Sequence, residues 1–168
     1  MKLHYSLGIA LIVLILDLAT KYWIESLLSY GEYIPITGFF NLVLTYNTGA
    51  AFSFLSEASG WQRWLLSAIA AIASCVIIYL LHKYRAEKLF CFSLSLILGG
   101  ALGNLWDRIT LGYVVDFLDF YLGDYHWPAF NIADSAIFIG AVLLIIESFN
   151  NTEKKDARQT VAQNEKTE

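Results

Sequence analysis

The sequence predicts an all-α membrane bundle of four transmembrane helices, with two structured segments at one end. Three observations predict it. Hydrophobic residues make up 57% of the 168 and charged residues 15%, against roughly 45–50% and about 25% in soluble domains. The apolar residues fall in four blocks, each near the ~20 residues a spanning helix needs. Lysines and arginines collect in the segments that share one side of such a topology. The length fits one domain, expected over 1–149 with a polar tail over 150–168.

The first helix is expected over about 5–28. Leu3 to Leu16 carries no charge, and the apolar character runs on through Tyr22, Trp23, Ile24, Leu27 and Leu28, interrupted by Asp17, Lys21 and Glu25. A secretory signal peptide would end in a small-residue cleavage site, and none follows this stretch. The second helix is expected over 62–82: Trp64 to Leu81 is free of charge, with Trp61 and Trp64 as an interfacial aromatic anchor. The third is expected over 88–106, again uncharged from Leu89 to Trp106, and the fourth over 129–147, with Asp134 near its start. Beyond Glu147 the chain turns polar, and a tail this poor in apolar residues is expected to lack structure.

Lys2, the turn with Lys83, Arg85 and Lys88, and the tail with Lys154, Lys155, Arg158 and Lys166 lie on one side of this topology; the other side has Arg63 and Arg108. The positive-inside rule then puts both termini in the cytoplasm and the segments 29–61 and 107–128 on the outer face. Phe39 to Tyr46 is rich in aromatic and β-branched residues and reads as a strand, closed by the turn Asn47-Thr48-Gly49. Ala50 to Leu55 is apolar again. Tyr113 to Phe117 is strand-like, and 117–125 suits either a strand or an interfacial helix. Cys75 and Cys91 sit in apolar runs without metal-type spacing and read as small buried hydrophobes.

Polar residues inside or beside such spans are costly, so they mark candidate chemistry. Asp17 and Lys21 are four apart and share a helix face. They form either an internal ion pair locking the first helix or a charge-setting element beside a site. Asn104 and Arg108 share a face at the end of the third helix, suited to bonding a peptide carbonyl or holding a carboxylate. Gly99, Gly100 and Gly103 allow close helix approach. Asp116 lies in an apolar outer segment; Asn131 and Asp134 are three apart at the start of the fourth helix, with Pro128 just before. Two acids bracketing one segment can meet above the bundle. Held close and partly dry, they share a proton, the state that peptide hydrolysis without a metal requires. Ser-His and Cys-His pairs, a phosphate loop and a zinc cluster are not apparent, and no metal, cofactor or nucleic-acid partner is expected.

Together, Asp17-x-x-x-Lys21, Asn47-Thr48-Gly49-Ala50-Ala51-Phe52, Gly103-Asn104-Leu105-Trp106-Asp107-Arg108, Gly112-Tyr113-Val114-Val115-Asp116-Phe117 and Phe130-Asn131-Ile132-Ala133-Asp134 resemble bacterial lipoprotein signal peptidase, signal peptidase II. Each motif alone is weak; five in order along a four-span chain are specific. The resemblance implies a small β-cradle and a membrane-surface helix in the outer segments. It implies an inner-membrane aspartyl endopeptidase that cuts diacylglyceryl-modified prolipoproteins just before the lipidated cysteine. The catalytic dyad would fall on Asp116 and Asp134, with support from Asn104, Arg108, Asn131, Asn47, Gly49, Asp17 and Lys21. Membrane lipid, a lipidated substrate and the cyclic peptide inhibitor globomycin would be its partners, and a monomer its working form. Two other readings compete. A small proton-coupled transporter would use Asp17 and Lys21 as a relay, but the second helix has no ionisable group between Trp64 and Leu81 and no internal repeat is seen. A structural assembly subunit would leave the two aspartate motifs without a purpose.

Overall fold

Four helices in the computed structural model are long and apolar enough to cross a bilayer, and a small antiparallel sheet joins them at one end. Residues 1–49 and 60–164 are described, 150–164 as backbone. The stretch Ala50 to Leu55, with part of one quoted motif, lies outside the described residues. In chain order the elements are α1 (Leu3–Leu27), β1 (Tyr33–Thr37), β2 (Phe40–Asn47), α2 (Trp61–Lys83), α3 (Lys88–Thr110), β3 (Val114–Leu122), β4 (Tyr125–His126) and α4 (Ile132–Asn164).

α3 is the central helix. α1, α2 and α4 all pack on it, and half of its apolar window is buried, against 22% or less for the other three. Its glycines explain how the backbones come so close. A Cβ built on Gly99 would stand 2.6 Å from the Ala10 carbonyl oxygen on α1, and one on Gly100 would collide with the Ala133 carbonyl on α4. Gly140 of α4 returns the arrangement: its Cβ would lie 2.7 Å from the Ser93 carbonyl oxygen of α3. Close approach through small residues is the usual route to helix association in lipid, where apolar burial alone drives little. The outward sides stay apolar and exposed, as with Leu11, Ile12, Ile15 and Leu16 on α1 and Ile69, Ile72 and Val76 on α2. In water such faces would be a liability; in hydrocarbon they are the solvent-facing surface.

α3 runs one turn further than the sequence suggests, to Thr110, so Asp107 and Arg108 belong to the helix. Its last carbonyls are capped from α2: Arg63 Nε donates to Arg108 O at 2.6 Å and Nη2 to Ile109 O at 2.7 Å. Gly112 then turns the chain at φ 93°, a left-handed conformation natural to glycine. The sheet has the order β1-β2-β3-β4, all antiparallel neighbours. A hydrophobic core packs its residues Leu44, Val115 and Phe117 on Ile24 of α1.

The structure settles one open choice and departs from expectation elsewhere. Residues 117–122, open between strand and interfacial helix, are strand. α4 begins at Ile132 rather than 129, because Phe130 pairs with Leu118 of β3 through backbone hydrogen bonds. The tail expected to lack structure continues α4 to Asn164; its Glu, Lys, Ala, Gln and Arg residues are good helix formers. The membrane-surface helix implied by the resemblance has no counterpart among the described residues.

Candidate active site

Asp116 is brought to the bundle by a bulge. β2 and β3 pair Asn41 with Asp119 and Leu42 with Leu118; an irregularity follows, after which Thr45 faces Asp116 and Asn47 faces Val114. A one-residue slip exchanges the faces of a strand. Here it sets Asn47 on the same face as Asp116, and Asn47 Nδ2 donates to Asp116 Oδ2 at 3.1 Å. Asn47 Oδ1 in turn accepts from Gly49 N–H at 2.9 Å, closing the turn after β2.

Asn131 joins Asp116 to α4. It stands just before the helix, and its Oδ1 accepts from Asp134 N–H at 2.9 Å, an N-cap bond. With Oδ1 committed, Nδ2 is the end that meets Asp116 Oδ1, at 2.8 Å. Asn104 of α3 is oriented by the same logic. Its Oδ1 accepts from Lys21 Nζ at 3.0 Å and from Asn131 Nδ2 at 3.2 Å, so its Nδ2 donates to Asp134 Oδ1 at 2.7 Å. An amide with its oxygen fixed by donors has one orientation, and two asparagines thus aim N–H groups at two carboxylates.

Beneath this layer lies a buried ion cluster. Lys21, 2% exposed, pairs with Asp17 Oδ2 at 2.7 Å and with Asp107 Oδ2 at 2.8 Å. The choice left open for Asp17 and Lys21 therefore has a composite answer: they are an internal ion pair, and the lysine also reaches Asn104. Asp17 Oδ1 accepts from Ala133 N–H at 2.9 Å, in the first turn of α4 where the helix dipole favours an anion. Gly103 leaves room for this carboxylate; a Cβ there would collide with Asp17 Oδ2. Asp107 Oδ2 also accepts from Val115 N–H at 3.2 Å, fixing the backbone one residue before Asp116. Sequence reasoning assigned Asp107 no role. The available signal was its position three residues after Asn104, on the same helical face.

Arg108 does not hold a carboxylate directly. Its Nη2 donates to the Gly49 carbonyl at 3.0 Å and its Nη1 to the Asn104 carbonyl at 3.3 Å, tying the turn after β2 to α3. The structure thus gathers Asp116, Asp134, Asn104, Arg108, Asn131, Asn47 and Gly49 around one place, with Asp17 and Lys21 one layer below.

A cavity of about 610 Å³ opens here, lined by Asn47, Asn104, Arg108, Asp116 and Asp134. The rest of its wall is mostly apolar and includes Phe138 and Ile139 of α4, which are 70% and 50% exposed. Asp116 is 2% exposed. Burial, and then the neighbouring Asp134 charge, push its carboxyl up to about 7. Asp116 and Asp134 thus line one cavity, each bonded by an oriented amide.

Comparison with known proteins gives the family. A family model described as signal peptidase (SPase) II matches residues 9–150. A lipoprotein signal peptidase of Ralstonia nicotianae is 57% identical over 148 residues, covering 88% of this chain and 86% of that protein. One of Cupriavidus taiwanensis is 54% identical over 148 residues, covering 88% and 84%. A solved structure described as a bacterial membrane enzyme superposes with a TM-score of 0.82 at 34% identity, covering 90% of this chain and 92% of its own.

Proposed function

The chain belongs to the signal peptidase II family, membrane proteases that remove signal peptides from prolipoproteins, and on that premise we propose that it cuts as an aspartyl peptidase with Asp116 and Asp134 as its catalytic pair. The four apolar spans and the family make it a multi-pass protein of the bacterial inner membrane. The transporter reading has no support from these relatives.

The observation that carries the proposal is the pair of oriented asparagines, Asn131 on Asp116 and Asn104 on Asp134, at the mouth of one cavity. In the reaction, the ionised carboxyl of the pair takes a proton from water as its oxygen attacks the scissile carbonyl. The protonated carboxyl donates to the carbonyl oxygen, giving a neutral tetrahedral diol. Collapse breaks the C–N bond as a proton passes to the departing nitrogen, the amine of the lipid-bearing cysteine, and the pair regains its single shared proton. Asn47, Asn104 and Asn131 hold the two carboxyls in register, Arg108 and Gly49 fix the turn, and Asp17 and Lys21 anchor the layer below. A donor held in place before the reaction costs no reorganisation during it.

The apolar wall at Phe138 and Ile139 suits acyl chains arriving from the bilayer, which supports a diacylglyceryl-modified substrate cut just before its cysteine. The lysine and arginine distribution supports cytoplasmic termini and a site at the outer face. A monomer is the proposed working form, and the resemblance to the family implies inhibition by globomycin. The test incubates purified protein with a prolipoprotein in lipidated and unlipidated forms, with and without EDTA and globomycin, and follows signal-peptide loss by gel shift. Cleavage of the lipidated form, unchanged by EDTA and blocked by globomycin, is expected. Cleavage abolished by EDTA would remove the metal-free mechanism.

A further inference from the structure

A second cavity, of about 690 Å³, lies on the sheet beside the acid pair's cavity. Tyr33 comes from β1, Asn41 and Thr45 from β2, Asp119 from β3 and His126 from β4. The two cavities share a wall, since Trp127, Pro128 and Ala129 line both. The peptidase chemistry uses none of the polar groups on the sheet side, yet they are well ordered among themselves. Asp119, 7% exposed, accepts from Asn41 Nδ2 at 2.8 Å and from His126 Nδ1 at 2.9 Å. The His126 ring also stacks on Tyr121, with centroids 5.1 Å apart and planes 15° from parallel. A buried carboxylate and a stacked ring thus fix an imidazole whose side chain is still 53% exposed. With Nδ1–H committed to Asp119, Nε2 on the far side of the ring is left to bond an outside group, accepting when bare and donating when protonated.

We propose that this cavity binds the polypeptide just beyond the cleaved bond, the mature segment that follows the lipid-bearing cysteine, with His126 Nε2 hydrogen-bonded to it. The inference rests on the peptidase reading above. Continuity and chemistry select this occupant. A substrate seated at Asp116 and Asp134 crosses from one cavity to the other over Trp127, Pro128 and Ala129. The wall at Phe138 and Ile139 suits the apolar parts of the substrate, its acyl chains and signal helix. The sheet cavity mixes apolar and aromatic side chains, Val43, Tyr121 and Trp127, with the polar edge of His126, which suits an extended peptide chain leaving the membrane. A fixed imidazole bonds such a chain without first losing rotamer freedom.

The test compares two lipidated substrates, a short one ending at the cysteine amide and a long one with several mature residues added. The quantity read is the ratio of kcat/KM, long over short, for wild type, His126→Ala and Val43→Trp, the last filling the cavity from β2. Wild type is expected to favour the long substrate about fivefold, the factor one hydrogen bond of ordinary net strength gives. Both variants are expected to bring the ratio close to one. Partial misfolding lowers both rates together and leaves the ratio alone. A wild-type ratio of one, or a ratio kept in both variants, overturns the inference. If wild type cleaves neither substrate, the peptidase reading fails and the inference falls with it.

Discussion

Asn131 uses both ends of its amide, capping α4 with Oδ1 and meeting Asp116 with Nδ2. Asn131→Asp keeps an oxygen to cap α4, and Asp caps about as well as Asn. It loses the N–H aimed at Asp116 and sets a third carboxyl against the pair. The expected result is a lower thermal midpoint, because a carboxyl then replaces a fully buried amide, together with kcat lower on the order of 10²-fold, the usual scale for a lost preorganised donor. Asp116 gives a pH prediction. Its carboxyl is raised to about 7 in the fold, above the ordinary ~3.9 of an unfolded chain. The folded state therefore binds more protons between these values. The resulting stabilisation is complete below about pH 4 and is lost as pH rises through about 7. Thermal midpoints of wild type minus those of Asp116→Asn are expected to fall over that window, and activity to decline above pH 7 as the pair loses its proton. Asp116, Asp134, Asn104 and Asn131 were legible in the sequence because ionisable and amide groups stand out against an apolar background. Asp107, Asn41 and Asp119 were not, since each is one polar residue among several until pairing brings its partner within reach.

At the scale of elements, α3 decides whether the site exists. Gly103 lets the Asp17 carboxylate reach both Lys21 and the start of α4. Gly103→Ala is expected to displace that carboxylate, lowering the thermal midpoint and kcat together, whereas Gly8→Ala, with open space around its Cβ, changes neither. Overpacking of this kind costs about 1–3 kcal/mol. The helices were legible because a bilayer-crossing segment declares itself by length and composition. The sheet was legible only in part. Phe39 to Tyr46 and Tyr113 to Phe117 have strand composition, but the bulge between Leu42 and Thr45 depends on pairing between residues some seventy positions apart in the chain. That bulge puts Asn47 beside Asp116, and no local pattern announces it.

The whole molecule is a bundle of apolar helices with the proposed hydrolytic site at the end where the sheet joins them. Its lower layer is a buried lysine between two carboxylates, its upper layer two amides on two more, and its open side an apolar wall on α4. Lys21→Met would leave Asp17 and Asp107 buried without their cation. Breaking a buried pair from one side commonly costs about 3–5 kcal/mol, so this variant is expected to lose its thermal transition or shift it far down in a detergent melt. The proposed orientation of the bundle across the membrane, by contrast, rests on the placement of lysines and arginines alone. The most direct test of the whole account is the single-turnover rate of signal-peptide release by wild type, Asp116→Asn and Asp134→Asn, each first shown to be folded. The account predicts that either substitution alone abolishes release, because neither carboxyl can act as both acid and base. Release that continues at the wild-type rate in either variant would contradict it.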